Sequence, residues 1–113
     1  MSYDLVVWDG QRPATDDEAL TSYISLIETY LEDDPTPPGP KIVRYLDALL
    51  ARWPNSELGR LWAAVPLAED ASGPIICLNL MRHQAEQTAK DVADLAQAHG
   101  LVCFDPQEGR LMP

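Results

Sequence analysis

Asp9, His83 and Asp105 are the residues whose types could support acid–base chemistry. Each follows a stretch that reads as a β-strand, and ligand sites in open sheets gather where strands end. A histidine between two carboxylates makes a general acid–base set if one pocket collects all three. The same aspartates have a plain role as well. Asp9-Gly10 and Asp105-Pro106 are turn-forming dipeptides, in which the carboxylate bonds to nearby backbone. Other chemistry is sparse. Cys77 and Cys103 lie on separate expected strands with no Cys-x-x-Cys pair, which leaves zinc and dithiol redox chemistry without its usual spacing. Two buried, inert thiols are expected instead. His83 and His99 fall at opposite ends of one expected helix and cannot share a metal, so His99 reads as a helix-end partner. The glycines form neither a phosphate loop nor a dinucleotide fingerprint. No cofactor and no metal are expected.

The charge balance narrows the remaining classes. Among 113 residues, 18 are acidic and 8 are Lys or Arg, a formal net charge of −10. Nucleic-acid binders neutralise phosphates with basic side chains, and anionic membranes attract the same residues, so neither is an expected partner. No apolar run approaches the roughly 18–20 residues of a membrane helix. The start Met1-Ser2-Tyr3-Asp4 lacks the basic and apolar regions of a secretory signal, which points to the cytoplasm. The acids are unevenly placed. Residues 1–39 hold nine of them against one base, Arg12. A field of one sign steers a partner of the other, and it also keeps a small protein soluble.

The elements that position these residues are readable along the chain. Tyr3–Trp8 is rich in aromatic and β-branched residues and nearly continuous in apolar character, as in a strand covered on both faces. Thr15 followed by Asp16, Asp17 and Glu18 is a capping box that opens a helix. Leu20, Tyr23, Ile24, Ile27, Tyr30 and Leu31 then recur at helical spacing and predict its buried stripe. Its outer face carries Asp17, Thr21, Ser25, Glu28 and Glu32, and Asp33 and Asp34 follow at its negative end. The run Pro35–Pro40 is an extended intradomain connection, and Pro40 suits the first position of a second helix. Ile42, Val43, Leu46, Leu49, Leu50 and Trp53 stripe that helix, and Pro54 stops it. Residues 55–74 are the least regular, with Leu58, Leu61, Trp62 and Val65 partly buried, a short helix expected over 56–63, and breakers at Pro66 and 70–74. Ile75–Met81 is a second strand, residues 82–99 a third helix closed by Gly100, and Leu101–Phe104 a third strand, with a short fourth at Leu111-Met112.

The expected fold is therefore α/β (α+β) within one domain spanning residues 1–113. It has a single sheet of three to four strands in the chain order β-α-α-β-α-β. The unit 75–104 is expected to be a parallel β-α-β crossover, with helices packed on the sheet.

Three segments resemble small bacterial proteins of the polymorphic-toxin immunity type: Tyr3-Asp4-Leu5-Val6-Val7-Trp8-Asp9-Gly10, Ser72-Gly73-Pro74-Ile75, and His99-Gly100-Leu101-Val102-Cys103-Phe104-Asp105-Pro106-Gln107. The resemblance implies a non-enzymatic inhibitor that binds and neutralises a cognate toxin domain with a basic surface. No site residue transfers with it. The residues themselves suggest where such a partner would dock. Asp17, Glu28, Glu32, Asp33 and Asp34 supply the acidic face, and Trp62, in the least regular stretch, is the expected exposed aromatic anchor. The alternative is a small enzyme or ligand-binding domain at the strand edge near Asp9, His83 and Asp105. A homo-oligomeric structural role is the third reading.

Overall fold

The computed structural model describes residues 2–33, 35–54, 61–63 and 70–112, without the side chains of Ser2, His83 and Glu86. Side chains alternate between the two faces of a strand, so the sequence of each strand states what covers it. In β1 (Ser2–Trp8), Leu5 and Val7 point to one face and Val6 and Trp8 to the other, and all four are buried. Two helices cover the first face: α2 (Pro40–Arg52) and α3 (Arg82–Ala98). The second face carries α1 (Asp16–Leu26), continued by a π-helical extension over Ile27–Asp33. Burial on both faces matches the reading of the continuous apolar stretch.

One antiparallel sheet of five strands lies between these layers: β1, β2 (Ala71–Ser72), β3 (Ile75–Met81), β4 (Val102–Asp105) and β5 (Arg110–Leu111), in the spatial order β2-β3-β1-β4-β5. Val6 faces Cys77 on one side and Phe104 on the other; Val7 likewise faces Ile76 and Cys103. This corrects the expected sheet. β3 and β4 run in the same direction, but β1 is inserted between them and both pair with it antiparallel. The β3-α3-β4 connection is thus a crossover over one intervening strand, not a directly paired parallel unit. A strand buried on both faces must also satisfy its backbone on both edges, which gives β1 the centre. β2, expected as a break, forms because Gly73 (φ +49°) turns the chain back onto β3.

The ends of the helices follow their sequence signals. Thr15 Oγ1 accepts from the Glu18 N–H at 3.1 Å, while Glu18 Oε2 reaches back to the Ala14 N–H at 3.0 Å. Pro40 opens α2. After α3, the Gly100 N–H donates to Gln97 O at 3.0 Å and the Leu101 N–H to Ala96 O at 2.9 Å, the paired bonds of a Schellman ending with Gly100 at positive φ.

Helix faces needed more correction. Leu20 and Ile24 were expected in the core, but they are 42% and 48% exposed; α1 buries Ala19 and packs Tyr23 and Leu26 instead. Val43 of α2 is also exposed, and Tyr45 takes the buried place, donating its hydroxyl to Val92 O on α3 at 2.9 Å. The short helix expected over 56–63 lies mostly outside the described residues, as do Leu58, Val65 and Pro66. Leu61 and Trp62 are buried and run alongside β3, with the Met81 N–H donating to Leu61 O and the Ala63 N–H to Asn79 O, both at 2.6 Å. Among the described residues no helix is long and apolar enough to cross a membrane.

The Pro-rich connection is laced to the turn between β2 and β3. The Thr36 N–H donates to Ser72 Oγ at 2.8 Å, the Gly39 N–H to Gly73 O at 2.8 Å, and the Gly73 N–H to Thr36 O at 3.3 Å. A Cβ on Gly73 would also sit 2.8 Å from the Tyr30 ring. Gly73→Ala therefore combines a left-handed backbone with an overpacked contact and should destabilise the protein by about 1–3 kcal/mol. Urea denaturation would show this as a lower midpoint with an unchanged slope; an unchanged midpoint would mean the turn is not tied down.

Candidate functional site

The acids of the first third share one element. Asp17 is exposed on α1, and Glu28, Glu32 and Asp33 are exposed on the π-helical extension. Asp34 lies outside the described residues. With i→i+5 bonding, residues four and five apart share a side of a π-helix, so Glu32 and Asp33 both stand in line with Glu28. Asp17 is eleven positions from Glu28, about 16 Å at 1.5 Å per residue. The carboxylates thus form a line along the helix with three gathered at its end. Among the described residues the ion pairs are Lys41–Asp9 at 3.6 Å and Lys90–Asp94 at 2.9 Å, and neither involves this line. Arg12, the one base of residues 1–39, donates to Met112 O at 3.1 Å. Two open grooves of about 580 and 430 Å³ run beside α1 and are floored by its Thr21 and Ser22.

The strand-edge set does not assemble. Asp9 follows the C-terminal end of β1, whereas α3 begins beside the N-terminal end of β1 and β4 ends beside its middle, at Leu5. The length of β1 puts the start of α3 about 20 Å from Asp9, and the four residues from Leu5 to Asp9 put Asp105 about 13 Å away along the strand. Asp9 instead pairs with Lys41, and its N–H donates to Pro74 O at 2.8 Å. The His83 side chain lies outside the described residues. Asp105 is fully buried.

Its carboxylate is heavily used. Oδ2 accepts the Tyr3 hydroxyl; Oδ1 accepts the Gln107 N–H at 3.0 Å, Gln107 Nε2 at 2.7 Å and the Glu108 N–H at 3.2 Å. The Asx-turn foreseen for Asp105-Pro106 is present, and Tyr3 completes it from β1. That partner leaves no local signal, since 102 residues separate the two. Gln107 does more: its Oε1 accepts the Asp4 N–H at 2.5 Å and its Nε2 donates to Asp4 O at 2.7 Å, so one amide side chain continues the ladder beyond β4. A cleft of about 230 Å³ opens beside Tyr3 and Asp105, walled by Ala85 and Ala89 of α3 and rimmed by Lys90 and Arg110. A carboxylate that holds four donors, three of them on Oδ1, is an anchor for the β4–β5 turn.

Trp62 is also corrected as an exposed anchor. It is fully buried, stacks edge-on to Trp53 at 6.2 Å and donates Nε1–H to Trp53 O at 2.6 Å. Cys77 and Cys103 face consecutive residues of β1, Val6 and Val7, so their thiols point to opposite faces of the sheet and remain free. Burial, with Asp70 near one and Asp105 near the other, pushes both thiols up to about 12. They are inert at neutral pH, since only the thiolate reacts. His99 closes α3 through its backbone and meets the Tyr45 ring edge-on at 5.8 Å. Among the described residues no three His, Cys, Asp or Glu side chains converge on a metal position.

Comparison of the chain with protein-family models, with curated proteins and with solved structures returns no match.

The Tyr3–Asp105 contact has a pH signature. Burial first, then the hydrogen bond to Asp105, pushes the Tyr3 phenol from 10 up to about 12. The folded state thus favours the neutral phenol. Its contribution is complete below pH 10 and is lost as pH climbs from 10 through 12. Tyr3→Phe should cost about 1–2 kcal/mol at neutral pH by leaving a buried acceptor short of a donor. The stability gap between wild type and variant in urea should then narrow above pH 10. A gap independent of pH would mean that Tyr3 stabilises by packing alone.

Proposed function

We propose that the chain is a non-enzymatic immunity-type protein that binds and neutralises a cognate toxin domain with a basic surface. The carrying observation is the line Asp17, Glu28, Glu32 and Asp33, exposed and without a cationic partner among the described residues. Asp34 extends the line in sequence. Carboxylates lined along one helix, with neighbours in the line about 16 Å apart or closer, project a field of one sign, which speeds encounter with a positive surface and orients it. Inhibition by coverage requires no catalytic group, and the structural use of Asp105 in the β4–β5 turn fits that reading. The likeness of three segments to immunity-type proteins points the same way.

The second reading is a small catalytic or ligand-binding domain at the strand edge, and the cleft beside Tyr3 favours it. Against it stand the distance of Asp9 from that edge and the fully engaged Asp105.

The test takes the domain encoded by the neighbouring reading frame as the candidate toxin. Co-expression of the chain should abolish that domain's toxicity. The variant E28Q/E32Q/D33N/D34N should associate about tenfold more slowly at low salt, with the difference closing as salt screens the field. The same variant should be at least as stable as wild type. It removes like charges one turn apart and acids from the negative end of a helix. Association at the wild-type rate at low salt would overturn the acidic-surface mechanism, and unrelieved toxicity would overturn the function.

A further inference from the structure

We propose that Leu20 and Ile24 are the apolar anchor of a docking surface whose occupant seats an aliphatic side chain between its own Lys or Arg residues. The inference rests on the reading that α1 meets a basic partner, and it assigns the two halves of that encounter to different residues.

Single exposed leucines are ordinary on protein surfaces. Here two large aliphatic side chains stand one turn apart on α1, with 42% and 48% of their surfaces in water. Side chains four apart on a helix touch, so they form one ridge. The frame around that ridge selects the occupant. Asp17 stands three residues before Leu20, and Glu28 four residues after Ile24. No Lys or Arg occurs in the sequence between Arg12 and Lys41, and Arg12, which lines the groove beside Thr21 and Ser22, is engaged with Met112 O. An acidic partner would be repelled, and a neutral one would strip water from carboxylates and return nothing. A partner with an aliphatic group flanked by cations satisfies both the ridge and its frame. This is the common anatomy of an interface, with an apolar centre inside a charged rim. Charges at a rim act mainly on association, whereas buried apolar contact acts mainly on dissociation. The carboxylates therefore bring the partner in, and Leu20 and Ile24 hold it.

Two short peptides of equal length and charge serve as probes, one of leucine and lysine in amphipathic order and one with serine replacing leucine. The leucine–lysine peptide should shift the amide NMR signals around Leu20 and Ile24. The variant L20Q/I24Q should bind it about tenfold more weakly, while the serine–lysine peptide binds wild type and variant alike. Glutamine keeps helix propensity; an unchanged melting temperature, or the single substitutions L20Q and I24Q if the pair melts early, secures the comparison. Equal binding of the two peptides, shifts centred elsewhere, or no loss in L20Q/I24Q would overturn the anchor. The toxin domain separates this failure from the other. If it is neutralised but leaves L20Q/I24Q no faster than wild type, the anchor alone is wrong. If it is not neutralised while the peptide results hold, the inhibitor reading is wrong and the anchor stands.

Discussion

Residues Leu5–Trp8 are closed off in every direction, and the rest of the architecture answers to that constraint. Each is at most 3% exposed. Their side chains fill both faces of the sheet, and their backbones are paired on both edges through most of that stretch. A strand with four apolar neighbours in a row tolerates neither an open face nor an open edge, because buried amides left unpaired are costly. The first strand made is thus the last one that can lie at the margin. β3 must take one side and β4 the other, and α3 must pass over β1 to connect them. Among the described residues the first helix and its extension are the helical cover of β1's second face, and no other described element covers their outer side.

Where the ladder runs out, side chains complete it. β4 ends at Asp105, yet Asp4 on β1 still presents an amide and a carbonyl on that edge. The Gln107 amide answers both. Asp105 then gathers the turn that positions Gln107, with the Tyr3 phenol as its outermost donor. A buried carboxylate in a cleft invites a catalytic interpretation, but catalysis needs a group with unmet capacity. This one already holds a strand end together through four donors. The distinction came from counting donors, which residue type and position alone do not allow.

What was legible in the sequence was local. Thr15 and Glu18, Pro40, and Gly100 each signal a helix end through backbone groups a few residues away, and each does so here. The faces of β1 were legible too, since an unbroken apolar run implies cover on both sides. Its neighbours were not, because period-two patterning reports faces and says nothing about which strand lies alongside. A strand, a helix and a strand in succession read as a parallel pair, and the insertion of β1 between them leaves no mark in residues 75–104. Helical phase was half legible. Leu20 and Ile24 fit a 3.6-residue stripe, but from Ile27 the helix changes its repeat, and the face that packs is the one running through Ala19, Tyr23 and Leu26. Within the candidate site, exposure of the carboxylates followed from their charge. Trp62 did not follow from its surroundings, because its burial is set by the need of β3's outer edge for cover.

The α1 segment and its extension concentrate departures from local rules that the other helices keep. Glu28, Glu32 and Asp33 crowd the negative end of a helix, with like charges one turn apart. Leu20 and Ile24 face water although the opposite side of the same helix is packed. The extension adopts π geometry, which is rare and common mainly at functional sites. Each departure alone is small and has a bland explanation. They coincide on one element, the helix that among the described residues shares its sheet face with no other, and they are of the kinds the proposed docking face would use: fixed charge of one sign, uncovered apolar surface, and local geometry departing from the usual repeat. Sequences that fold well tend to break such rules where function demands it. The costs that α1 carries in the isolated domain are of the kinds that the proposed partner, positively charged and partly apolar, would reverse.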